Sequence, residues 1–304
     1  MRTWIIGSGG LFGSALARAS SNLFLGPSVP WEDDRRALEI LRGSLSEFAR
    51  DNSGPWSIVW AAGRATTSAN QTDADRERDF FGSFIEHVAK VHPTGPGAFV
   101  LTSSAGGAYA GSNDPPFSSS TKARPVGVYG HLKVAQEQIV ERLSPHLPVL
   151  TLRVSNLYGP GQDLSKLQGL ISRLALAAVT REPITMFVPL DTMRDFIFVD
   201  DAARRAMYWT KKALREQASS TRVIASGQPE TLAHIIAMMN GIARVRVPVA
   251  SGIHYSARAQ AHDLRLSPDV DEYVQRLPLT PLPDGMKRVF LDIRQRHAQA
   301  ALPA

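Results

Sequence analysis

Tyr129 and Lys133 stand four residues apart in Tyr129-Gly130-His131-Leu132-Lys133, and two serines, Ser103 and Ser104, close an apolar run twenty-five residues earlier. On a helix, positions i and i+4 share a face. Leu132, Ala135, Ile139 and Leu143 recur at helical spacing and predict the buried stripe of that helix, with Tyr129 and Lys133 flanking it. A free phenol titrates near ~10 and is a poor base at neutral pH. An ammonium ~4 Å from a phenol contributes about 4 kcal/mol at an effective dielectric near 20, which brings acid/base work within reach. A serine hydroxyl at a neighbouring strand end would hold the substrate oxygen that exchanges the proton. The spacing of Ser104 from Tyr129 favours it over Ser103. A core tyrosine beside a solvated lysine is the structural alternative, and the rest of the chain decides against it.

The elements that must position these groups are legible around them. Thr3-Trp4-Ile5-Ile6 reads as a buried strand. Gly7-Ser8-Gly9-Gly10-Leu11-Phe12-Gly13 follows it, and a helix begins at about Ser14. In that context Gly7 serves a tight turn, Gly10 an approach of backbone amides to a pyrophosphate, and Gly13 the packing of helix on strand. Phosphates would face the helix N-terminus. Further strands are predicted at Asn22–Leu25, Ser57–Trp60 with the small end Ala61-Ala62-Gly63, Ala98–Thr102, and Val149–Val154. Helices are predicted from about Val29 to Arg50, before Val88, around Tyr129, from about Lys166 to Arg181, and from Asp200 to about Lys212. The polar stretch from Arg64 to Asp79 reads as a loop entering a helix. The Gly/Ser/Pro-rich stretch from Gly106 to Pro125 reads as a loop walling a cleft. Strands alternating with helices predict an α/β fold, a Rossmann-like doubly wound parallel sheet. A dinucleotide-binding domain is expected over 1–155, also receiving the segment around 190–225, with a smaller, interwoven substrate-binding lobe over 156–304.

No acid ends the second strand, where one would bind the adenine ribose of NAD. Ser28 with Arg35 or Arg36 suits a 2′-phosphate instead, which favours NADP over NAD. A solvated helix start is the alternative for the arginines, and Asp33 or Asp34 is a candidate N-cap.

Composition limits the remaining possibilities. At 304 residues the chain has room for one large core or two modest ones, and 43% hydrophobic with 20% charged residues is ordinary for a soluble protein. The formal charge of +6 suits an anionic ligand, but no Lys/Arg cluster is interleaved with aromatics, so nucleic acid is not an expected partner. The absence of cysteine excludes disulfides, thiolate metal sites and cysteine nucleophiles, and the histidines show no metal-ligand spacing. Without a signal-peptide pattern or an apolar span of membrane length, the cytoplasm is the expected compartment.

Taken together, the Gly7/Gly10/Gly13 turn, Ala61-Ala62-Gly63, the serine strand end, Tyr129 to Lys133, Asn156-Leu157-Tyr158-Gly159-Pro160-Gly161 and Arg194-Asp195-Phe196-Ile197-Phe198-Val199-Asp200-Asp201 resemble the extended short-chain dehydrogenase/reductases. These are the nucleotide-sugar epimerases, dehydratases and keto-sugar reductases. The resemblance implies Tyr129 as acid/base, Lys133 as its partner and nicotinamide-ribose ligand, and Ser104 as the hydrogen-bond donor to the reacting oxygen. It also implies cofactor contacts from Gly7, Gly10, Leu11, Phe12, Gly13, Ser28, Ala61, Ala62, Gly63 and Thr102. Asn156, Arg194 and Arg258 would hold the diphosphate of a nucleotide sugar, and a homodimer is expected. Ala105-Gly106-Gly107 stand where sugar dehydratases place acids, which argues against dehydration. The fucose-pathway epimerase-reductases rely on a cysteine that this chain lacks. Epimerases of this family usually carry the acid after the second strand that is missing here, which favours a keto-sugar reductase ahead of a 4-epimerase holding NAD tightly and of a non-catalytic dinucleotide-binding regulator.

Overall fold

Short apolar runs carry the architecture. A computed structural model describes residues 1–50, 52–165, 168–253, 257 and 260–300. β1 (Arg2–Ile6), β2 (Leu23–Phe24), β3 (Trp56–Trp60), β4 (Gly97–Ser104) and β5 (Val149–Val154) join β9 (Ser220–Ile224) in one sheet, ordered β2-β1-β3-β4-β5-β9. Every pairing in it is parallel. Parallel strands need crossovers, which cover both faces and explain why β3 and β5 are buried along their whole length.

Alternate side chains feed two cores. Trp4, Ile6, Ile58, Trp60, Phe99 and Leu101 point to one face. There they meet α2 (Asp34–Arg50), α3 (Gln71–Lys90) and α5 (Gly127–Val140). Ile5, Val59, Val100 and Leu150 point to the other, against α1 (Leu11–Arg18) and α7 (Val199–Glu216). The chain leaves β1 toward β2 on one side and returns as β3 on the other, so the carboxyl ends of β1 and β3 form the switch point where such sheets bind ligands. The Rossmann-like reading of the sequence holds.

A second group of short strands lies beyond β5. β6 (Asn156–Tyr158), β10 (Pro229–Thr231) and β12 (Asp263–Leu264) all pair with β8 (Met193–Phe198). β7 (Ile184–Met186) pairs with β11 (Val249–Ser251). α6 (Leu170–Thr180), α8 (Leu232–Ala243) and α10 (Leu282–Ala300) supply a third core, including Leu174, Ile235, Met239, Met286 and Val289. None of the helices among the described residues is long and apolar enough to cross a membrane.

Three local expectations change. The loop expected from Gly106 begins as a helix, α4 (Ala105–Tyr109), because Ser104 caps it: its hydroxyl accepts from the Gly107 N–H at 3.0 Å. α2 begins at Asp34, not near Val29, with the Asp33 carboxylate accepting from the Arg36 N–H at 3.1 Å. In α5 the buried residues are Gly130, Leu132, Lys133, Gln136, Glu137 and Val140, while Ala135 and Ile139 are only half-buried. Leu132 and Leu143 of the expected stripe are buried and Ile139 packs against the core, but the stripe missed the buried polar side chains, whose hydrogen-bond partners no sequence periodicity displays. Lys166 and Leu167, at the start of the helix expected from Lys166, lie outside the described residues, and α6 itself begins at Leu170.

Candidate active site

The turn after β1 is built to leave no room for side chains. Gly7 adopts φ +92°, and a Cβ there would lie 2.6 Å from the Ala62 backbone nitrogen. A Cβ on Gly13 would lie 2.0 Å from the Gly7 carbonyl oxygen, so α1 presses directly on the turn. Gly10 is under no such pressure from the protein, its nearest would-be neighbour being 3.5 Å away. It is exposed and occupies the N-cap of α1 with no side-chain cap, so the first amides of the helix face outward. This cradle fits a pyrophosphate in place of a side chain. Leu11 is half-buried, and Phe12 is in the core, so Phe12 offers a ligand only its backbone. Ala61 and Ala62 line the adjacent end of β3, followed by the exposed Gly63. The Thr102 hydroxyl is committed to the Trp60 carbonyl at 2.9 Å.

At the carboxyl end of β4 the two serines part company. Ser103 donates to Glu137 Oε1 at 2.6 Å, and Glu137 in turn takes a forked pair from Arg153, with Nη2 2.7 Å from Oε2. Burial opposes the charge on Arg153, yet Glu137 and Tyr109 hold the guanidinium protonated, above its ordinary pKa. Ser103 thus belongs to a buried structural network. Ser104 accepts from Gly107, which leaves its own proton for another acceptor. A Cβ built on Gly107 would meet both Ser104 Cβ and Tyr129 Cε1 at 3.4 Å, so the serine and the tyrosine flank one small space.

Lys133 lies deep behind Tyr129, only 7% exposed, with Nζ 5.7 Å from the centre of the tyrosine ring. Its partners are Gln136 Oε1 at 3.0 Å and Glu77 Oε1 at 3.7 Å. The polar segment before Asp79 concealed Glu77, whose i-to-anything pattern carries no signal; the structure places it on α3, facing α5.

The substrate side holds a buried cation. Arg194, at the start of β8, is 8% exposed. Burial lowers its pKa to about 10, partly offset by Asp263, which leaves it charged at neutral pH. Neither acid beside it in sequence neutralises it. Asp195 is fully buried and accepts from Ser226 and Gly227, and Asp191 pairs with His262 at 3.1 Å. Among the described residues Arg194 forms no ion pair; it donates to the carbonyls of Met193 and His262 at 2.8 and 3.4 Å. Asn156, on β6, donates to the Asp195 carbonyl at 2.8 Å, beside the same strand. Arg258 lies outside the described residues.

The end of β2 carries no acid. Leu25 is 83% exposed there, and Ser28 is exposed in the loop that follows. Asp33 caps α2 and Asp34 pairs with Arg76, so both nearby carboxylates are engaged. Arg35 pairs with Glu39 at 3.3 Å on the surface.

A glycine cradle at the switch point of a parallel sheet, with a tyrosine, a lysine and a serine at the same edge, defines a Rossmann-like dinucleotide-binding architecture. The chain belongs to the NAD dependent epimerase/dehydratase family, whose model matches residues 4–225. It is 33% identical over 127 residues to a dTDP-L-rhamnose 4-epimerase of Burkholderia thailandensis, covering 40% of this chain and 34% of that protein. It is 26% identical over 199 residues to a dTDP-4-dehydro-6-deoxyglucose reductase of Escherichia coli, covering 64% of this chain and 61% of that protein. These matches span about a third and three fifths of the two relatives. Among solved structures, the UDP-glucose 4-epimerase of Thermotoga maritima with UDP-glucose superposes with a TM-score of 0.79 at 17% identity, covering 98% of this chain and all of that one. RMD of Pseudomonas aeruginosa, complexed with NADPH, superposes at 0.75 and 20% identity, covering 97% and 99%. The fold is the same; the substrates named are those of the other proteins.

Proposed function

We propose that this chain is an NADP(H)-preferring reductase of a nucleotide-diphosphate keto-sugar, with Ser104, Tyr129 and Lys133 as its acid/base site. The observation that carries the reading is that Ser104 and Tyr129 both pack beside Gly107, with the buried Lys133 ammonium 5.7 Å from the centre of the tyrosine ring. NADPH held at the Gly7–Gly13 turn and Lys133 would supply the hydride for the carbonyl carbon. Tyr129 delivers its phenolic proton to the carbonyl oxygen, Ser104 donates a hydrogen bond to that oxygen, and Lys133 holds the nicotinamide ribose. The resulting alcohol leaves a tyrosinate that regains its proton from solvent.

Residues 1–155, with the segment around 190–225, hold the cofactor; the rest of 156–304 holds the sugar nucleotide. Arg194 is the diphosphate ligand on this reading: a buried, forked donor without a carboxylate suits two phosphate oxygens at once. The exposed Leu25 supports NADP(H), because the end of β2 offers no acid, and the acids that follow it already have partners, Asp33 the Arg36 N–H, Asp34 Arg76 and Glu32 Arg64. The named activity of the Escherichia coli relative supports reduction. That of the Burkholderia relative supports a second reading, 4-epimerisation. Incubation with a dTDP-4-dehydro-6-deoxyhexose and NADPH, and separately with a dTDP-6-deoxyhexose, separates them. Stoichiometric loss of NADPH with formation of the dTDP-deoxyhexose is expected. Interconversion of dTDP-hexose epimers without net NADPH consumption would make it an epimerase.

A further inference from the structure

Glu77 is a shielded acid beside the proposed site, and the reduction written above gives it no step. Its side chain is 13% exposed. Oε2 accepts the backbone N–H groups of Arg64 at 2.9 Å and Ala65 at 2.8 Å, just after the Ala61-Ala62-Gly63 end of β3. Oε1 lies 3.7 Å from Lys133 Nζ and accepts from Gln136 Nε2 at 3.3 Å. Gln136, fully buried, closes the ring by accepting from Lys133 at 3.0 Å. Gly63 makes space for this assembly, since a Cβ there would stand 3.2 Å from Glu77 Oε1 and 3.4 Å from Lys133 Nζ.

We infer that Glu77 is a positioning residue that ties the loop after β3 to the Lys133 ammonium, so that one carboxylate sets both walls of the nicotinamide-ribose subsite. A carboxylate has lone pairs for all of these donors at once. A glutamine at 77 does not: with its oxygen turned to the two backbone amides, its amide group faces the ammonium and the Gln136 donor. The loop or the lysine must then give way. None of the hydrogen bonds of this ring runs to the β1 turn or to the end of β2, where the adenosine half of the cofactor would lie.

The inference rests on the reading of Lys133 as a cofactor ligand, and the test separates the two. Wild type, Glu77→Gln, Gln136→Leu and the double variant are titrated with NADPH and, as a probe of the adenosine half alone, with adenosine 2′,5′-bisphosphate. Each single variant is expected to lose NADPH affinity by roughly 10- to 150-fold, the range for a hydrogen bond to a charged group. Affinity for the bisphosphate should stay within about twofold. The double variant should be little worse than either single one, because both break one ring. Gln136→Leu keeps the Glu77–backbone bonds and so tests the ring even where Glu77→Gln folds poorly. Single variants that bind NADPH like wild type, or that lose both probes equally, overturn the inference alone. A wild type that binds neither NADPH nor NADH overturns the cofactor reading and this inference with it.

Discussion

Gly130 of α5 lies directly against the Gly107 carbonyl of α4: a Cβ on Gly130 would stand 2.6 Å from that oxygen and 3.2 Å from Pro125 Cβ. The two helices carry Tyr129 and the turn capped by Ser104, so this contact sets how far apart the serine and the tyrosine sit. Gly130→Ala must push α5 outward, at a cost of about 1–3 kcal/mol for overpacking. We expect a lowered Tm and a kcat at least roughly tenfold lower for a misplaced acid/base pair. Gly107→Ala makes a useful contrast. Its Cβ would meet Ser104, Tyr129 and Gly130 at 3.4 Å, a tolerable packing distance, but would wedge a methyl group between the serine and the tyrosine. Its Tm should stay near wild type while kcat/KM collapses. Thermal melts beside steady-state assays check both.

The two serines should fail in different ways. Ser104→Ala is expected to lower kcat roughly 10²- to 10³-fold, the cost of one donor to a developing oxyanion, with little change in Tm. Ser103→Ala removes a donor from the buried Glu137–Arg153 pair and should instead cost about 1–3 kcal/mol of stability, leaving kcat nearly intact. Tyr129→Phe should abolish turnover while NADPH affinity stays within a few-fold, as a proton donor requires. Denaturant unfolding, NADPH titration and turnover assays on the four proteins decide the assignment. A Ser103→Ala enzyme that is stable but inactive would exchange the roles of the two serines.

The parts of this molecule readable in sequence are those made by neighbours in the chain. β1, its glycine turn and α1 lie within eighteen residues, and the serine strand end reads as one run. Glu77 was not readable, because its meaning comes from Lys133 on another helix and from two amides of a loop. The inner face of α5 was legible only in part: Leu132 is buried as its spacing predicts, as is Leu143 just beyond the helix, whereas Lys133, Gln136 and Glu137 are buried because distant residues satisfy them. The sheet around β8 gathers partners from 156–158, 229–231 and 263–264, each too short to show a period. Arg194 was singled out by its place in a motif, whereas its burial without an ion pair is a property of that assembled sheet.

That burial makes a double-sided test of Arg194. A buried cation without a carboxylate opposes folding, so replacing it with an apolar chain of similar length relieves desolvation. Arg194→Met should therefore be at least as stable as wild type in urea, while its KM for a dTDP-sugar rises roughly 10- to 150-fold, the range for a lost hydrogen bond to a charged group. A small ketone without a diphosphate should be handled equally by both proteins. Loss of stability with unchanged KM would make Arg194 a structural tie to Met193 and His262 and nothing more.

Cofactor choice turns on the end of β2. Leu25, 83% exposed, stands where the strand leaves the sheet beside the glycine turn, and nothing in the fold requires a leucine so exposed. Asp33 caps α2, Asp34 is held by Arg76 and Glu32 pairs with Arg64, so the acids after β2 already have partners. NADP(H) is therefore expected to bind at least as tightly as NAD(H). Leu25→Asp supplies the absent acid at an exposed position, where substitution costs little stability. Its carboxylate would accept from the adenine-ribose hydroxyls and repel a 2′-phosphate. The ratio of NADPH to NADH affinity should fall by at least roughly tenfold, about 1.4 kcal/mol. Fluorescence titration of both proteins with both cofactors measures it. A wild type that strongly prefers NADH would mean that Asp33 or Asp34 leaves its present partner to bind the ribose, and would move 4-epimerisation ahead of reduction.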